Sequence, residues 1–238
     1  MTDKANFNGE YGAGYKDLAQ RISFGNNDFF LMILSYLGQT LGPEANVLDV
    51  GCGPGEGLSV FAQHRPQWQL TGVDPAEQMI KMAIKKIDEN ELHDRVRLYH
   101  GYIDSIPATE KFDAVTSLLV LHFLPDDGAK LSLLKNINER LKEGGTFIMT
   151  CLNSWENAET DGQILSAWKH YMLDRGVTPE ETQRLSALAN VSNHFVSEKR
   201  IEELLTEAGF GNINLFFKVH MHGGWIALKN TLNKTDKV

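Results

Sequence analysis

The sequence predicts an α/β protein built on a doubly wound, mostly parallel sheet with an antiparallel strand added last. Three observations point there. Five strand-like apolar runs alternate with helical stretches between Asn46 and Leu152. The fourth run, "FDAVTSLLVL", is apolar almost throughout, as a central strand covered on both faces must be. The chain then closes on "INLFFKVHMHGGWIALK", which reads as a β-hairpin. Five βα units and a hairpin make a seven-stranded sheet.

Each element has its own justification. "NVLDV" (Asn46 to Val50) is strand one, and "EGLSVFAQHR" (Glu56 to Arg65) is the helix after it. "WQLTGVD" is strand two. "PAEQMIKMAIKKIDEN" follows as a helix with Pro75 at its first position, where a missing N–H costs nothing. "RVRLYHG" is strand three, and "DDGAKLSLLKNINERLKEGG" is an amphipathic helix that glycine should end. "TFIMTCL" is strand five. From Asn153 to Val196 no strand is legible, only two helical stretches; "VSEKRIEELLTEAGF" then forms a helix with Ser197 as N-cap. The hairpin turn is expected near Gly223–Gly224. The expected organisation is one domain over residues 1–238. Leading helices occupy 1–45, the core sheet 46–152 and 197–230, and a helical cap 153–196.

Composition narrows the function. A chain of 238 residues with 42% hydrophobic and 23% charged residues can bury a sizeable core. A net charge of -8 is a poor basis for holding a nucleic acid polyanion. The longest apolar patch, "FFLMILSYLG" from Phe29, is too short to span a bilayer, and no charged-then-apolar leader opens the chain. Cys52 and Cys151 stand far apart without metal-ligand spacing and read as small buried thiols. No metal site is expected, and the expected setting is cytoplasmic.

The chemistry concentrates in "VLDVGCGPGEG", Val47 to Gly57, a buried strand feeding a glycine turn. In an open α/β sheet ligands bind beyond the carboxyl ends of the strands where strand order reverses, and the first βα turn lies there. A dinucleotide loop reads GxGxxG, but here the third glycine position is Glu56. A carboxylate at a helix opening repels phosphate and attracts a cation. No Lys-Ser/Thr pair offers a phosphate loop either. Asp49 precedes the turn and Asp74 closes strand two, where a carboxylate can accept two ribose hydroxyls.

Acid, glycine turn and acid, with "GVDPAEQMI", "FDAVTSLLVLHFLP", "LKEGGTFIM" and "LLTEAGFGNINLFFKVHMHGGWIALK" in order, resemble the class I S-adenosylmethionine (SAM)-dependent methyltransferases. The resemblance covers roughly Asn46 to Lys229 and implies a Rossmann-like fold. It implies SAM as cofactor, S-adenosylhomocysteine (SAH) as product, and methyl transfer to a small-molecule acceptor. It places Gly51, Cys52, Gly53 and Gly55 against the methionine part, with Asp49 near its amino group. Asp74 and Pro75 then face the ribose, and Met79, Tyr102, Ile103 and Leu118 lie around the nucleoside. Where the family often has an acid after the glycine ending strand three, this chain has Tyr102, with Asp104 two residues on. His122, His220 and His222 are the candidate catalytic residues, the latter two sharing one strand face if the strand stays extended. Trp155, Trp168 and Tyr171 would ride on a lid over the acceptor.

Plainer readings stand beside these. Asp74 could serve only the helix dipole, Met79 only the core, and each histidine only the scaffold. Tyr11 and Tyr15 could close over the cofactor or belong to a frayed terminus. The chain is also similar to carboxy-SAM synthases, which hold the added carboxylate with an arginine in the helix before the final strands. Leu204 occupies that position, with Arg200 one turn earlier. A tRNA or protein methyltransferase is a further alternative, and a homodimer is compatible with the chain.

Overall fold

The computed structural model describes residues 26–155, 157–191 and 194–231. Tyr11 and Tyr15 lie outside them. Helix α1 (Asn26–Thr40) leads into the alternating core: β1 (Asn46–Val50), α2 (Glu56–His64), β2 (Gln69–Asp74), α3 (Glu77–Glu89), β3 (Val96–His100) and β4 (Phe112–Leu118). There follow α4 (Ala129–Arg140), β5 (Leu141–Leu152), α5 (Ala158–Asp174), α6 (Pro179–Val191), α7 (Glu198–Glu207), β6 (Phe210–Val219) and β7 (His222–Lys229). The seven strands lie in the order β3-β2-β1-β4-β5-β7-β6. All neighbours are parallel except β7, which runs antiparallel to both β5 and β6. The order reverses between β1 and β4, so the turn after β1 sits at the switch point.

Apolar side chains fill both faces of this sheet. Leu48, Val50, Val115, Phe147, Met149 and Trp225 pack toward α4 and α7, meeting Leu134, Ile137, Ile201, Leu204 and Leu205. Val47, Ala114 and Ile148 point the other way, against Ile33 and Leu37 of α1, Leu58 and Phe61 of α2, and Ile80 and Ile87 of α3. The strict alternation Val47/Leu48 and Ile148/Met149 across the two clusters is the two-residue period of an extended strand. A third cluster joins Trp168 and Met172 of α5, Val177, Leu185 of α6 and Met221 between β6 and β7. The two helices that follow β5 thus rest on the closing hairpin.

Five local expectations are corrected. The hairpin turn is at His220–Met221, where His220 adopts φ 50°, and Gly223 and Gly224 lie inside β7 opposite Cys151 and Thr150. Those glycines answer crowding: a Cβ on Gly223 would come within 2.4 Å of Trp225, and one on Gly224 within 2.9 Å of Phe216. With His220 in the turn and His222 in the strand, the two do not share an extended face. Helix α4 passes from Arg140 directly into extended Leu141 without a glycine cap. Pro75 precedes the cap residue Ala76, so α3 begins only at Glu77. Strand β4 stops at Leu118 because Leu119 turns left-handed at φ 61°, a conformation costly for a branched side chain. The cap at Ser197 does form, its Oγ accepting from the Arg200 amide at 3.2 Å.

Phe147, fully buried and stacked on Phe210 at 5.0 Å, tests the α4/α7 core. Phe147→Ala is expected to cost about 3–5 kcal/mol of unfolding free energy, read as a lower urea midpoint at unchanged slope.

Candidate active site

The turn after β1 is shaped by its neighbours. The amides of Gly51 and Cys52 both donate to the Val73 carbonyl at the end of β2, at 2.8 and 3.1 Å. Gly51, Gly53 and Gly55 have φ of 75°, 53° and 78°, which side-chain-bearing residues rarely adopt. A Cβ on Gly51 would lie 2.4 Å from Val120 Cγ2, so the loop after β4 sits directly on the turn. A Cβ on Gly53 would meet nothing within 4 Å. The space over Gly53 is therefore open to a ligand, while the turn beneath is closed.

Asp74 holds the turn from the next strand. Its Oδ2 accepts from the Gly53 amide at 2.9 Å and its Oδ1 from the Ala76 amide at 2.8 Å. Burial raises its pKa, partly offset by those two bonds. Asp49 is more extreme. It is buried at the carboxyl end of β1, and burial, moderated by its bond to Thr116, pushes its pKa up to about 7. Thr116 Oγ1 donates to Asp49 Oδ1 at 2.8 Å, and no cation is paired with Asp49 among the described residues. Its other oxygen, Oδ2, lies 3.6 Å from where a Gly57 Cβ would stand, with the Phe30 ring of α1 at 3.2 Å from the same point. Glu56, expected to repel phosphate by its bare charge, instead pairs with Lys86 of α3. The acidic character of the turn thus rests on Asp49 and Asp74.

Around this cradle, Met79 is buried in α3, and Ile103 is buried in the short 3₁₀ turn Ile103–Ser105. Tyr102 is 71% exposed beside it, and Asp104 is exposed too. Pro75 is exposed at the tip of β2, Cys52 is buried, and Leu118 is half-buried at the end of β4. All of these stand along the carboxyl edge of β1, β2, β3 and β4, so the structure brings together the residues that the sequence scatters over seventy positions.

The histidines lie at the same edge, further along. His122 is buried, with Nδ1 accepting from the Leu152 amide at 3.3 Å, so Nε2 carries the proton. Burial, with the nearby His222 and Lys130 adding repulsion, holds its pKa down to about 3. His222 is also buried, its pKa pushed down to about 4 chiefly by burial. Trp168 of α5 meets the His222 ring edge-on at 5.5 Å, and Tyr171 meets His220 at 5.4 Å. Trp155 Nε1 donates to the His220 carbonyl at 3.1 Å, and Lys218 Nζ sits 3.4 Å over the Trp155 ring. The three aromatic residues expected on a lid therefore do converge on the hairpin turn.

Sequence reasoning missed Thr116, Lys130 and Asn153. Thr116 was signalled as a hydroxyl inside an otherwise apolar strand. Lys130 looked like the polar side of an amphipathic helix, yet it is 1% exposed and donates from Nζ to the Leu121 carbonyl at 2.8 Å. That bond anchors the loop bearing His122, and desolvation lowers the Lys130 pKa to about 8. Asn153 is fully buried just past β5, its backbone amide donating to the Met221 carbonyl at 2.8 Å. Arg200 is held by Asp126 at 2.9 Å and also faces Glu203 and Glu207, while Leu204 is sunk in the core.

A parallel-sheet edge with an open glycine cradle, one carboxylate per flanking strand and a hydrophobic cap defines a nucleoside-cofactor enzyme. The comparisons with known proteins agree. A family model described as a methyltransferase domain matches residues 47–145. The demethylmenaquinone methyltransferase of Listeria monocytogenes serotype 4a is 30% identical over 173 residues, covering 71% of this chain and 70% of the relative. The carboxy-S-adenosyl-L-methionine synthase of Campylobacter fetus is 28% identical over 203 residues, 85% of each chain. Haemonchus contortus phosphoethanolamine N-methyltransferase 2, solved with S-adenosyl-L-methionine, superposes with a TM-score of 0.64 at 19% identity. That likeness covers 97% of this chain and 61% of the solved one, less than two thirds of its length. The chain belongs to the class I SAM-dependent methyltransferases.

The Asp49 environment has a measurable consequence in the ligand-free protein. Its folded pKa of about 7 stands above the ordinary 3.8, so between these values the folded state keeps a proton that the unfolded chain has released. This contribution makes stability fall as pH rises through that window. Asp49→Asn should remove the slope and raise stability at neutral pH by about 1–3 kcal/mol, read by urea denaturation at a series of pH values.

Proposed function

We propose that this chain binds SAM across the carboxyl edge of β1, β2 and β3 and transfers its methyl group to a small-molecule acceptor held beneath α5 and α6. The observation that carries the reading is Asp49: a buried carboxylate with no cationic partner among the described residues, beside an open glycine cradle. A lone buried charge is costly. A ligand bearing a positive charge removes that cost, whereas a pyrophosphate would add to it. SAM carries an ammonium and a sulfonium.

In this reading the Asp49 carboxylate faces the ammonium, and the backbone of Gly51, Cys52, Gly53 and Gly55 lies along the methionine part. Asp74 keeps a free lone pair on each oxygen after its two backbone bonds, enough to accept from two ribose hydroxyls. Pro75, Met79, Tyr102, Ile103 and Leu118 frame the ribose and adenine, and the exposed Tyr102 ring is free to lie over the base. When bound, SAM supplies an already activated methyl group. The remaining tasks are to aim the acceptor and to exclude water. His122, His220 and His222 stand where the acceptor would be held, under the lid residues Trp155, Trp168 and Tyr171. The acidic net charge of -8 supports a small molecule over a nucleic acid. No helix among the described residues is long and apolar enough to cross a membrane. Carboxy-SAM synthesis is disfavoured because Leu204 is buried and Arg200 is engaged by carboxylates.

Calorimetry is expected to register SAM and SAH binding and none for NAD; NAD binding without SAM would overturn the reading. Asp74→Ala should weaken SAM by about 1–3 kcal/mol without unfolding the protein. A cation beside Asp49 draws its pKa down from about 7, so SAM affinity should rise as pH climbs toward that value, with proton release. Measurements in buffers of different ionisation enthalpy read that release, and Asp49→Asn should abolish it.

A further inference from the structure

The apolar stripe of α1 runs past the core and ends beside the glycine cradle. Ile33, Leu34 and Leu37 are buried against the sheet, and Phe30 stands on the same helical stripe one turn earlier. Its ring is only half-buried. It comes down on Gly57 of α2. A Cβ added to Gly57 would stand 3.2 Å from Phe30 Cε1 and 3.6 Å from Asp49 Oδ2. One point on α2 therefore meets both the ring and the carboxylate, and the missing side chain of Gly57 is what lets α1 approach so closely. Phe29 meets Phe30 edge-on at 5.3 Å and Phe217 of β6 at 6.1 Å, so the closing hairpin backs the ring.

Asp49 Oδ1 is taken by the Thr116 hydroxyl of β4, which leaves Oδ2 for a ligand. The residue is 3% exposed, so the opening that remains to Oδ2 is narrow. Among the described residues the charged and titratable groups around it supply no counter-charge. Asp74 of β2 adds repulsion, and Cys52 in the turn is a buried thiol. Glu56 of α2 is paired with Lys86 of α3, and Asp28 in the first turn of α1 is exposed. From α1 the neighbour beside Oδ2 is a hydrocarbon ring, which offers neither a counter-charge nor a hydrogen bond.

We propose that Phe30 is a positioning residue for cofactor binding, its ring sealing Asp49 Oδ2 from water on the α1 side so that the ligand's ammonium must supply the counter-charge. This rests on the SAM-binding reading above and adds a residue of α1 to it. A carboxylate kept from water attracts a cation more strongly than one that water screens. The same seal disfavours the bare carboxylate while the cradle is empty, so Asp49 holds a proton until the ammonium arrives and then gives it to the buffer. Phe30 thus sets both the strength of ammonium recognition and its coupling to a proton. A nucleoside without the ammonium gains nothing from the seal.

The test titrates SAH, with 5′-methylthioadenosine as the probe lacking an ammonium, into wild-type protein, Phe30→Ala and Phe30→Leu. In wild type, SAH should bind about tenfold more weakly near pH 5.5 than near pH 7, because the Asp49 proton must first be displaced. Methylthioadenosine should show no such difference. Phe30→Ala admits water to Oδ2 and should bring the SAH ratio within about threefold, with little proton release. Phe30→Leu, still apolar and nearly as long, should keep most of the ratio. A purely structural role would weaken SAH equally at both pH values and leave the ratio alone. NMR of the wild-type Phe30 ring gives a readout that no variant's folding affects. In the ligand-free protein its signals should titrate with a midpoint near 7, and saturating SAH should abolish that titration. A full ratio in Phe30→Ala, a lost one in Phe30→Leu, a ring signal without that midpoint, or SAH binding that is independent of pH in wild type would overturn the seal. A wild-type protein that binds no SAH at either pH would instead overturn the cofactor reading.

Discussion

The carboxylate of Asp74 is the constraint on which the site depends. One oxygen holds the Gly53 amide and the other the Ala76 amide. A single side chain thereby ties the turn after β1 to the start of α3, across two parallel strands. The turn can accept this tie only because Gly51, Gly53 and Gly55 all take positive φ. Once it is tied, the Gly53 position opens outward, the Gly51 position closes against Val120, and the Gly55 position closes against Ala83. Three glycines in one short turn therefore have different duties, set by what stands above each.

From that tie the electrostatics follow. Burial raises the cost of ionising both acids, most for the more deeply buried Asp49, to which the nearby Asp74 adds repulsion. Thr116 relieves part of this with a hydroxyl bond from β4. Glu56 contributes less than its position suggests, because Lys86 neutralises it across the α2–α3 interface. Asp49, rather than Glu56, is the charge that disfavours a phosphate ligand here. A charge that water and lysine screen is weak evidence about a ligand; one sealed in the core beside an open cradle is strong evidence.

The proposed acceptor end is organised differently. The cradle lies between strands, but the histidine pair lies between the sheet and its helical cover. The loop after β4 supplies His122, pinned by the Lys130 ammonium and by the Leu119 amide, which donates to the Thr150 carbonyl and hydroxyl oxygens. The hairpin supplies His222, roofed by Trp168. The third hydrophobic cluster joins α5, α6 and Met221 in one packed unit. In the proposed reading, water exclusion and acceptor recognition would share that packing.

The sequence by itself determined the strand and helix alternation, the parallel core, the position of the glycine turn and the acids Asp49 and Asp74. These are written in local periodicity and in residue types with few alternatives, so single-strand patterns suffice to read them. Boundaries set by neighbours were not legible. Gly223 and Gly224 look like a turn, yet they lie in β7 because Trp225, Asn153 and Phe216 crowd them. Only the tertiary structure could decide that Glu56 is neutralised, that Lys130 is buried, and that His122 is held through its Nδ1. Each depends on a partner brought in by the fold: Lys86, Leu121 and Leu152. Local pattern carries burial and period; the state of a charge or a ring nitrogen is a property of the assembled neighbourhood.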